Sequence, residues 1–145
     1  MSKAVELVLP WMPSVNHMYV NINYNGRLMR IIGKEGKAYL RAVAEILIDA
    51  DNPRLEGDLV VDSLVLHPPT SGRRDLDNCL KCLWDSLQDR NEKVKGGGKV
   101  LVRRLFADDC QIRKYREIEW GPVVEGGRVR LVISQMPMAL FEEKP

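Results

Sequence analysis

Hydrophobic and polar positions follow a helical period in two stretches of the chain. From residue 34 to about residue 50, apolar residues recur every three or four positions, so they share one face of a helix. The stretch from residue 77 to about residue 88 shows the same period. An aspartate at the start of a helix can accept a hydrogen bond from a free backbone N–H, so Asp77 is predicted to cap this second helix.

Shorter apolar runs, bounded by proline, glycine or asparagine, predict strands between and after these helices. A hairpin is predicted over residues 19–32, because Asn25-Gly26 is a strong signal for a two-residue turn. The polar stretch 89–98 ends in three glycines and is predicted to be a flexible loop. The other predicted strands cover residues 5–9, 59–66, 100–106, 111–120 and 128–133.

This order of elements predicts a single α+β domain, in which a mixed β-sheet is packed by two main helices. The domain is expected to span residues 1–136, and residues 137–145 are expected to form a loose tail. A chain of 145 residues with 45% hydrophobic content can bury a core without disulfides or a structural metal. No apolar run approaches the roughly 20 residues of a membrane span. The N-terminus has no secretory pattern, so we expect a cytoplasmic protein without membrane contact.

Two of the three cysteines, Cys79 and Cys82, have the C-x-x-C spacing of redox and zinc sites. No second C-x-x-C completes a zinc site, and Cys79 lies on the apolar face of the second predicted helix. Core packing is therefore predicted for this pair, since a buried thiol acts as a small hydrophobic group.

The net charge of +2 is too small to indicate nucleic-acid binding by itself, so the distribution of charge matters more. Basic residues are concentrated between residues 93 and 116, and Arg73 and Arg74 form a second basic spot. On charge alone, a solvated surface explains this pattern as well as a DNA-binding surface does.

Carboxylates stand at two places that the fold can bring together. Asp75 and Asp77 are two positions apart where the chain enters the second helix, so both point the same way in an extended backbone. Lys81 lies one helical turn after Asp77. Asp108 and Asp109 fall between two predicted strands. Clustered carboxylates repel one another unless a hard cation neutralises them, and Mg²⁺ suits such oxygen ligands.

This ligand set indicates hydrolysis of phosphodiesters. A carboxylate-bound Mg²⁺, or a pair, would orient water and polarise the scissile phosphate. Lys81 would place a positive charge on the phosphate or help to deprotonate the water, and Arg73 and Arg74 would clamp flanking phosphates. Taken singly, each residue has an ordinary explanation as a helix cap, an ion-pair partner, a solvated lysine or a polar turn. The sequence contains no motif for a nucleotide cofactor or a serine nucleophile.

Three motifs, in order, resemble those of the RusA-type Holliday junction resolvase family of bacteria and phages. They are Leu9-Pro10-Trp11-Met12-Pro13-Ser14-Val15-Asn16, Arg73-Arg74-Asp75-Leu76-Asp77-Asn78 followed by Lys81, and Phe106-Ala107-Asp108-Asp109-Cys110-Gln111-Ile112. The likeness runs over nearly the whole chain. It implies a RusA-like fold and a homodimer that binds branched DNA, nicking two strands of a four-way junction symmetrically. The implied cofactor is Mg²⁺, for which Mn²⁺ would substitute.

The resemblance also implies roles for single residues. Asp75, Asp77 and Asp109 match metal ligands in the catalytic centre, and Lys81 matches the catalytic lysine. Asp108 matches a neighbouring acid and is placed with the metal ligands. The residues expected to contact DNA are Asn16, Arg73 and Arg74.

One departure from the family is the stretch 91–105, which is longer than the usual link to the Asp108-Asp109 turn. Its basic residues are expected to bind DNA and to replace charge that Thr70-Ser71-Gly72 lacks. They are Lys93, Lys95, Lys99, Arg103 and Arg104. Two alternatives stay open, because the same metal site serves any phosphodiester: a nuclease for flaps or forks, and a junction-binding module without cleavage.

Overall fold

In a computed structural model, which describes residues 3–137, a five-stranded mixed β-sheet lies at the centre of the fold. The strands are β1 Ala4–Leu9, β2 Tyr19–Tyr24, β3 Arg27–Ile32, β4 Leu59–His67, β5 Arg90–Lys93, β6 Lys99–Val102, β7 Ile112–Tyr115, β8 Ile118–Trp120 and β9 Arg128–Gln135. The helices are α1 Val15–Met18, α2 Lys34–Asp49 and α3 Leu76–Leu87. From residue 138 onward, the predicted tail lies outside the described residues.

Strand β4 is the centre of the sheet. It pairs antiparallel with β9 on one side and parallel with β7 and β8 on the other, while β1 pairs antiparallel with the far edge of β9. A parallel pairing needs a crossover connection, and the chain between β4 and β7 supplies it through α3. The predicted α+β domain with a mixed sheet is confirmed.

The sheet buries one face under the two long helices. Residues of β1 and β9 alternate between buried and exposed, which is the pattern of a sheet covered on one side. Val43 and Leu47 from α2 join Leu83 and Leu87 from α3 in one core with the inward side chains of the strands. The predicted pair of main helices is confirmed, with ends within one residue of those expected. Among the described residues, no helix is long and apolar enough to cross a membrane.

The predicted hairpin over residues 19–32 is confirmed as β2 and β3, which pair from Tyr19 with Ile32 to Tyr24 with Arg27. Asn25 and Gly26 both have positive φ, as the two central residues of a type I′ turn do. This hairpin forms its own two-stranded sheet beside α2.

The stretch 89–98, predicted to be a flexible loop, instead contains β5 and the turn of a second hairpin, which β6 completes. Its residues are almost all exposed and polar, so no hydrophobic alternation marks the strand. Gly96, Gly97 and Gly98 all have positive φ and form the turn. The predicted strand over residues 100–106 was too long, because Leu105 and Phe106 leave β6 and enter the core.

The predicted strand over residues 111–120 is divided into β7 and β8. Opposite the break, β4 has a bulge between Val61 and Ser63 in its pairing with β9. Arg116 N–H donates to Val61 O at 2.8 Å, and Leu64 N–H donates to Glu117 O at 3.0 Å. The chain between β7 and β8 therefore stays hydrogen-bonded to β4 on both sides of the bulge.

Gly36, in the first turn of α2, lies against the start of the β2–β3 hairpin. A Cβ atom on Gly36 would lie 2.4 Å from Met18 O and 2.8 Å from Ile32 Cγ2. We expect Gly36→Ala to lower the free energy of unfolding by about 1–2 kcal/mol, because overpacking outweighs the higher helix propensity of alanine. Urea unfolding measures the change. Ala38→Gly, at an exposed position of the same helix, measures the propensity effect, and a stabilised Gly36→Ala chain would contradict the prediction.

Candidate active site

Helix α3 carries a row of polar side chains on the side that faces away from the core. Asp77, Lys81, Asp85 and Gln88 follow at spacings of four, four and three residues, so they lie along one side of the helix and its C-cap. The buried side chains of the helix are Cys79, Cys82, Leu83, Trp84, Ser86 and Leu87. The predicted core packing of the C-x-x-C cysteines is thereby confirmed, while Cys110 is exposed.

Asp75, rather than Asp77, is the N-cap of α3. Asp75 Oδ1 accepts a hydrogen bond from the backbone N–H of Asp77 at 2.9 Å. The predicted cap was wrong because the helix begins at Leu76, which places Asp77 inside its first turn. Both carboxylates are exposed at this end of the helix, and the cap occupies only one of the two Asp75 oxygens.

Asp85 joins helix α3 to the β2–β3 hairpin. Its carboxylate accepts a hydrogen bond from the Tyr19 hydroxyl, where the β2–β3 hairpin begins. Lys81 Nζ lies 3.5 Å from Asp85 Oδ2, and Gln88 Nε2 donates to Asp85 Oδ1 at 3.3 Å. The Lys81 ammonium also lies 5.5 Å from the centre of the Tyr19 ring, within reach of a cation–π contact. The lysine is therefore oriented by both an acid and an aromatic ring.

The sequence analysis missed Asp85, Tyr19 and Gln88. A signal for Asp85 was available, since it repeats the four-residue spacing from Asp77 to Lys81. In the structure its side chain is only 19% exposed. A carboxylate is rarely buried so far unless it has partners, and Asp85 has them in Tyr19, Lys81 and Gln88. Tyr19 had no comparable signal, because its contact with Asp85 spans 66 residues.

The Asp108-Asp109 turn is held against the C-terminal end of α3. Asp108 caps a short 3₁₀ turn, Asp109–Gln111: its Oδ1 accepts from Cys110 N–H at 2.8 Å, and its own N–H donates to Gln111 Oε1 at 2.9 Å. Asp109 N–H donates to Gln88 Oε1 at 3.0 Å. Gln88 therefore links Asp85 on the helix to the backbone of Asp109 on the turn.

The two acids of this turn differ in their electrostatic surroundings. The hydrogen bond from Cys110 N–H lowers the pKa of Asp108 below its usual value. Partial burial raises the pKa of Asp109, and the neighbouring carboxyl groups of Asp108 and Asp85 raise it further, against the opposing charge of Lys81. Asp109 therefore lies in a locally negative environment in which a cation would be stabilising.

The structure brings the predicted site residues together in two groups. Asp75 and Asp77 lie at the start of α3, while Lys81 and Asp109 belong to the network around Asp85, which was not predicted. Within residues 3–137, no three histidine, cysteine or acidic side chains converge closely enough to hold one metal ion. The ligand set of Asp75, Asp77, Asp108 and Asp109 therefore stays a prediction.

Two of the predicted DNA-binding residues border a cavity of about 390 Å³ beside Asp75. Arg74 donates to Thr70 O at 2.8 Å and to Thr70 Oγ1 at 2.7 Å, and its guanidinium lies 5.7 Å from the centre of the Trp11 ring. Asn16 lines the same cavity. Arg73 is exposed on the loop before α3.

The basic residues of the longer stretch belong to the second hairpin and the segment that follows it. Lys93 and Lys99 pair across β5 and β6, and Lys95 is exposed in the turn. Arg103 is exposed, whereas Arg104 is partly buried and Arg104 N–H donates to Asp89 Oδ1 at 2.7 Å. Their contact with DNA stays a prediction.

Comparison with known proteins connects this arrangement to a family of nucleases. No family model matches the chain. The chain is 33% identical over 134 residues to the crossover junction endodeoxyribonuclease RusA of Escherichia coli K12, which covers 90% of this chain and 94% of the relative. The RusA protein of Shigella sonnei is also 33% identical over 134 residues, and that of Enterobacteria phage 82 is 32% identical over 139 residues, with the same coverage. The chain belongs to the RusA family of crossover junction endodeoxyribonucleases, as its three motifs predicted.

Proposed function

We propose that this protein is a Mg²⁺-dependent endonuclease that resolves four-way DNA junctions by paired, symmetric nicks. The observation that carries the proposal is the chain of contacts that runs from Lys81, through an ion pair with Asp85 and the hydrogen bonds of Gln88, to Asp109. It joins two motifs that lie far apart in the sequence, and both belong to the likeness with relatives named as crossover junction endodeoxyribonucleases. A solvated helix face would not need such links.

The proposed metal ligands are Asp75, Asp77 and Asp109, with Asp108 beside them. These residues fit a magnesium ion in their chemistry, because Mg²⁺ takes a few carboxylate oxygens and keeps several waters. Their exposure leaves room for those waters and for a phosphate. When bound, Mg²⁺ would activate water and stabilise the charge that develops on the phosphate, and Mn²⁺ is the proposed substitute.

Lys81 is proposed to contact the scissile phosphate. Its side chain is 53% exposed, so it can reach a substrate while Asp85 and Tyr19 restrict its direction. A positive charge fixed in place stabilises a transition state better than a mobile one, since no reorganisation is needed as the reaction proceeds. Asp85 and Gln88 act as positioning residues in this proposal.

We propose a homodimer because of the symmetry of the proposed substrate. A four-way junction has two-fold symmetry, so a homodimer with two-fold symmetry would present one site to each of two strands. Asn16, Arg73 and Arg74 would contact the DNA beside Asp75. Since the substrate is bacterial or phage DNA, we propose the cytoplasm as the place of action.

Cleavage of a synthetic mobile four-way junction tests the proposal, with duplex, fork, flap and single-strand controls in Mg²⁺ and in EDTA. We expect paired nicks on the junction, lost in EDTA. Asp75→Asn, Asp77→Asn and Asp109→Asn should each lower the rate at least about a hundredfold, because losing a metal ligand removes several kcal/mol of transition-state stabilisation. Asparagine can still cap α3 at position 75, so that variant should fold.

Asp49→Asn, at an exposed position of α2, removes the same charge outside the site and should cleave normally. Preferred cutting of forks or flaps would replace junction resolution with another nuclease function. Binding of junctions without cutting, in every divalent metal tried, would indicate a binding module instead.

Lys81→Ala should lose cleavage while it keeps most of its affinity for the junction. Removing a charge that acts on the transition state lowers the single-turnover rate, whereas removing a uniform binding contact lowers affinity. Single-turnover rates at saturating protein and dissociation constants in EDTA separate the two effects. Equal losses in both measurements would make Lys81 a phosphate anchor.

Gln88→Leu should lower the single-turnover rate by about tenfold and the free energy of unfolding by only about 1–2 kcal/mol. The variant keeps the side-chain size but removes the links to Asp85 and to Asp109 N–H, each of which contributes about 1 kcal/mol. Gln135→Leu is a matched control, because Gln135 Oε1 also accepts from a backbone N–H, that of Glu56, at 2.9 Å. If both variants lost rate equally, Gln88 would have no special role in the site.

A further inference from the structure

A groove of about 710 Å³ runs between α2, the β2–β3 hairpin and the β5–β6 hairpin. We call it the basic groove, because six of the residues that line it are cations. They are Arg30, Lys37, Arg41, Arg90, Lys93 and Arg104, and Glu92 is the acid among the lining residues. So many like charges repel one another, which is unfavourable unless an anion lies between them.

Two of these arginines have nitrogen atoms without a partner. Among residues 3–137, Arg90 Nε and Arg104 Nε are buried and make no hydrogen bond. Glu92 Oε1 lies 3.6 Å from Arg90 Nε, which is an ion-pair distance but too long for a hydrogen bond. Burial lowers the pKa of Arg104, and the neighbouring Arg90 lowers it further. The charges of Arg90 and Arg104 are thus only partly compensated within the described residues, and an anion in the groove would compensate them.

The arginines are held in place by an ion pair at the base of the β5–β6 hairpin. Arg54 donates to both oxygens of Asp89, at 2.7 and 3.0 Å, and Arg104 N–H donates to Asp89 Oδ1. Arg90 and Arg104 lie at the two ends of this hairpin. Arg90 directly follows Asp89, whose N–H donates to Phe106 O, and Arg104 directly precedes Leu105, whose N–H donates to Leu87 O. The backbone at both arginines is therefore held in place before any ligand arrives.

The basic groove is continuous with the candidate active site. The Arg30 guanidinium lies 5.0 Å from the centre of the Tyr19 ring, and the Lys81 ammonium lies 5.5 Å from it. Tyr19 also donates to Asp85 in the site. Positive charge therefore extends from Lys81, past Tyr19 and Arg30, to the cations of the groove.

We propose that the basic groove binds the phosphate backbone of the DNA arm that adjoins the cleaved phosphate. The inference deepens the proposed function and rests on it. Cations from three separate elements suit an extended polyanion better than a single small anion, because one phosphate cannot reach all of them. Two of the cations expected from the sequence to bind DNA, Lys93 and Arg104, are in the groove. Arg30, Lys37, Arg41 and Arg90 are added to them by the structure.

The test uses a double variant, Lys37→Gln with Arg41→Gln, because both residues are exposed on α2 and their replacement leaves the core intact. Binding to a 25-base-pair duplex and to a four-way junction is measured in EDTA over a range of salt concentrations. We expect at least about a tenfold loss of affinity and a salt dependence that is shallower by about two phosphate contacts. The matched control, Arg128→Gln with Arg130→Gln, removes the same charge from the exposed face of β9.

If both double variants lost the same affinity for DNA, the loss would result from the lower net charge of the protein and not from the groove, and the proposal would be overturned. An unchanged salt dependence in the Lys37/Arg41 variant would overturn it as well. Binding in EDTA does not depend on cleavage, so the two proposals can fail separately. If the unchanged protein cuts no junction while the Lys37/Arg41 variant still loses duplex affinity, the proposed function is refuted and DNA binding by the basic groove is supported.

Discussion

The burial of one side of α3 is the constraint on which the rest of the site depends. Leu83 and Leu87 are fully buried, and burying one such side chain contributes about 1.5–3 kcal/mol. The ion pair between Lys81 and Asp85 lies at the surface, where such pairs contribute at most about 1 kcal/mol. The core therefore fixes the rotation of the helix, and the polar residues face the hairpin and the Asp108-Asp109 turn as a consequence.

The same core residues explain how the chain closes the stretch between α3 and that turn. Leu105 N–H donates to Leu87 O at 3.0 Å, and Asp89 N–H donates to Phe106 O at 2.9 Å. The two ends of the stretch are thus joined directly after α3, and the β5–β6 hairpin projects from a closed base. The cost of closing a loop rises only slowly with its length, so the hairpin can be long while Asp109 keeps its position beside Gln88.

The sequence predicted the parts of the fold and the site whose signals are local. Periodicity located α2 and α3, and Asn25-Gly26 located the first hairpin. The spacing of the motifs selected Lys81 and the aspartates as candidates, and the structure places Lys81 and Asp109 in one network. What it could not predict depends on contacts between distant segments. The role of Asp85 requires Tyr19, and the basic groove requires cations from α2 and two hairpins. The strand β5 was missed for a different reason, since a hairpin exposed on both faces shows no alternation of apolar and polar residues.

The small net charge of +2 conceals charges of opposite sign that the fold separates. Acids gather around α3 and the Asp108-Asp109 turn, whereas cations gather in the basic groove, so the sum nearly cancels while the local fields do not. Carboxylates without a metal ion repel the phosphates on which they are proposed to act. A neighbouring groove that attracts the backbone would offset this repulsion and keep the DNA close to the site. Under the proposed function, this division would let affinity come from the groove and cleavage from the acids, so most of the cations that bind DNA need not lie beside the proposed metal ligands.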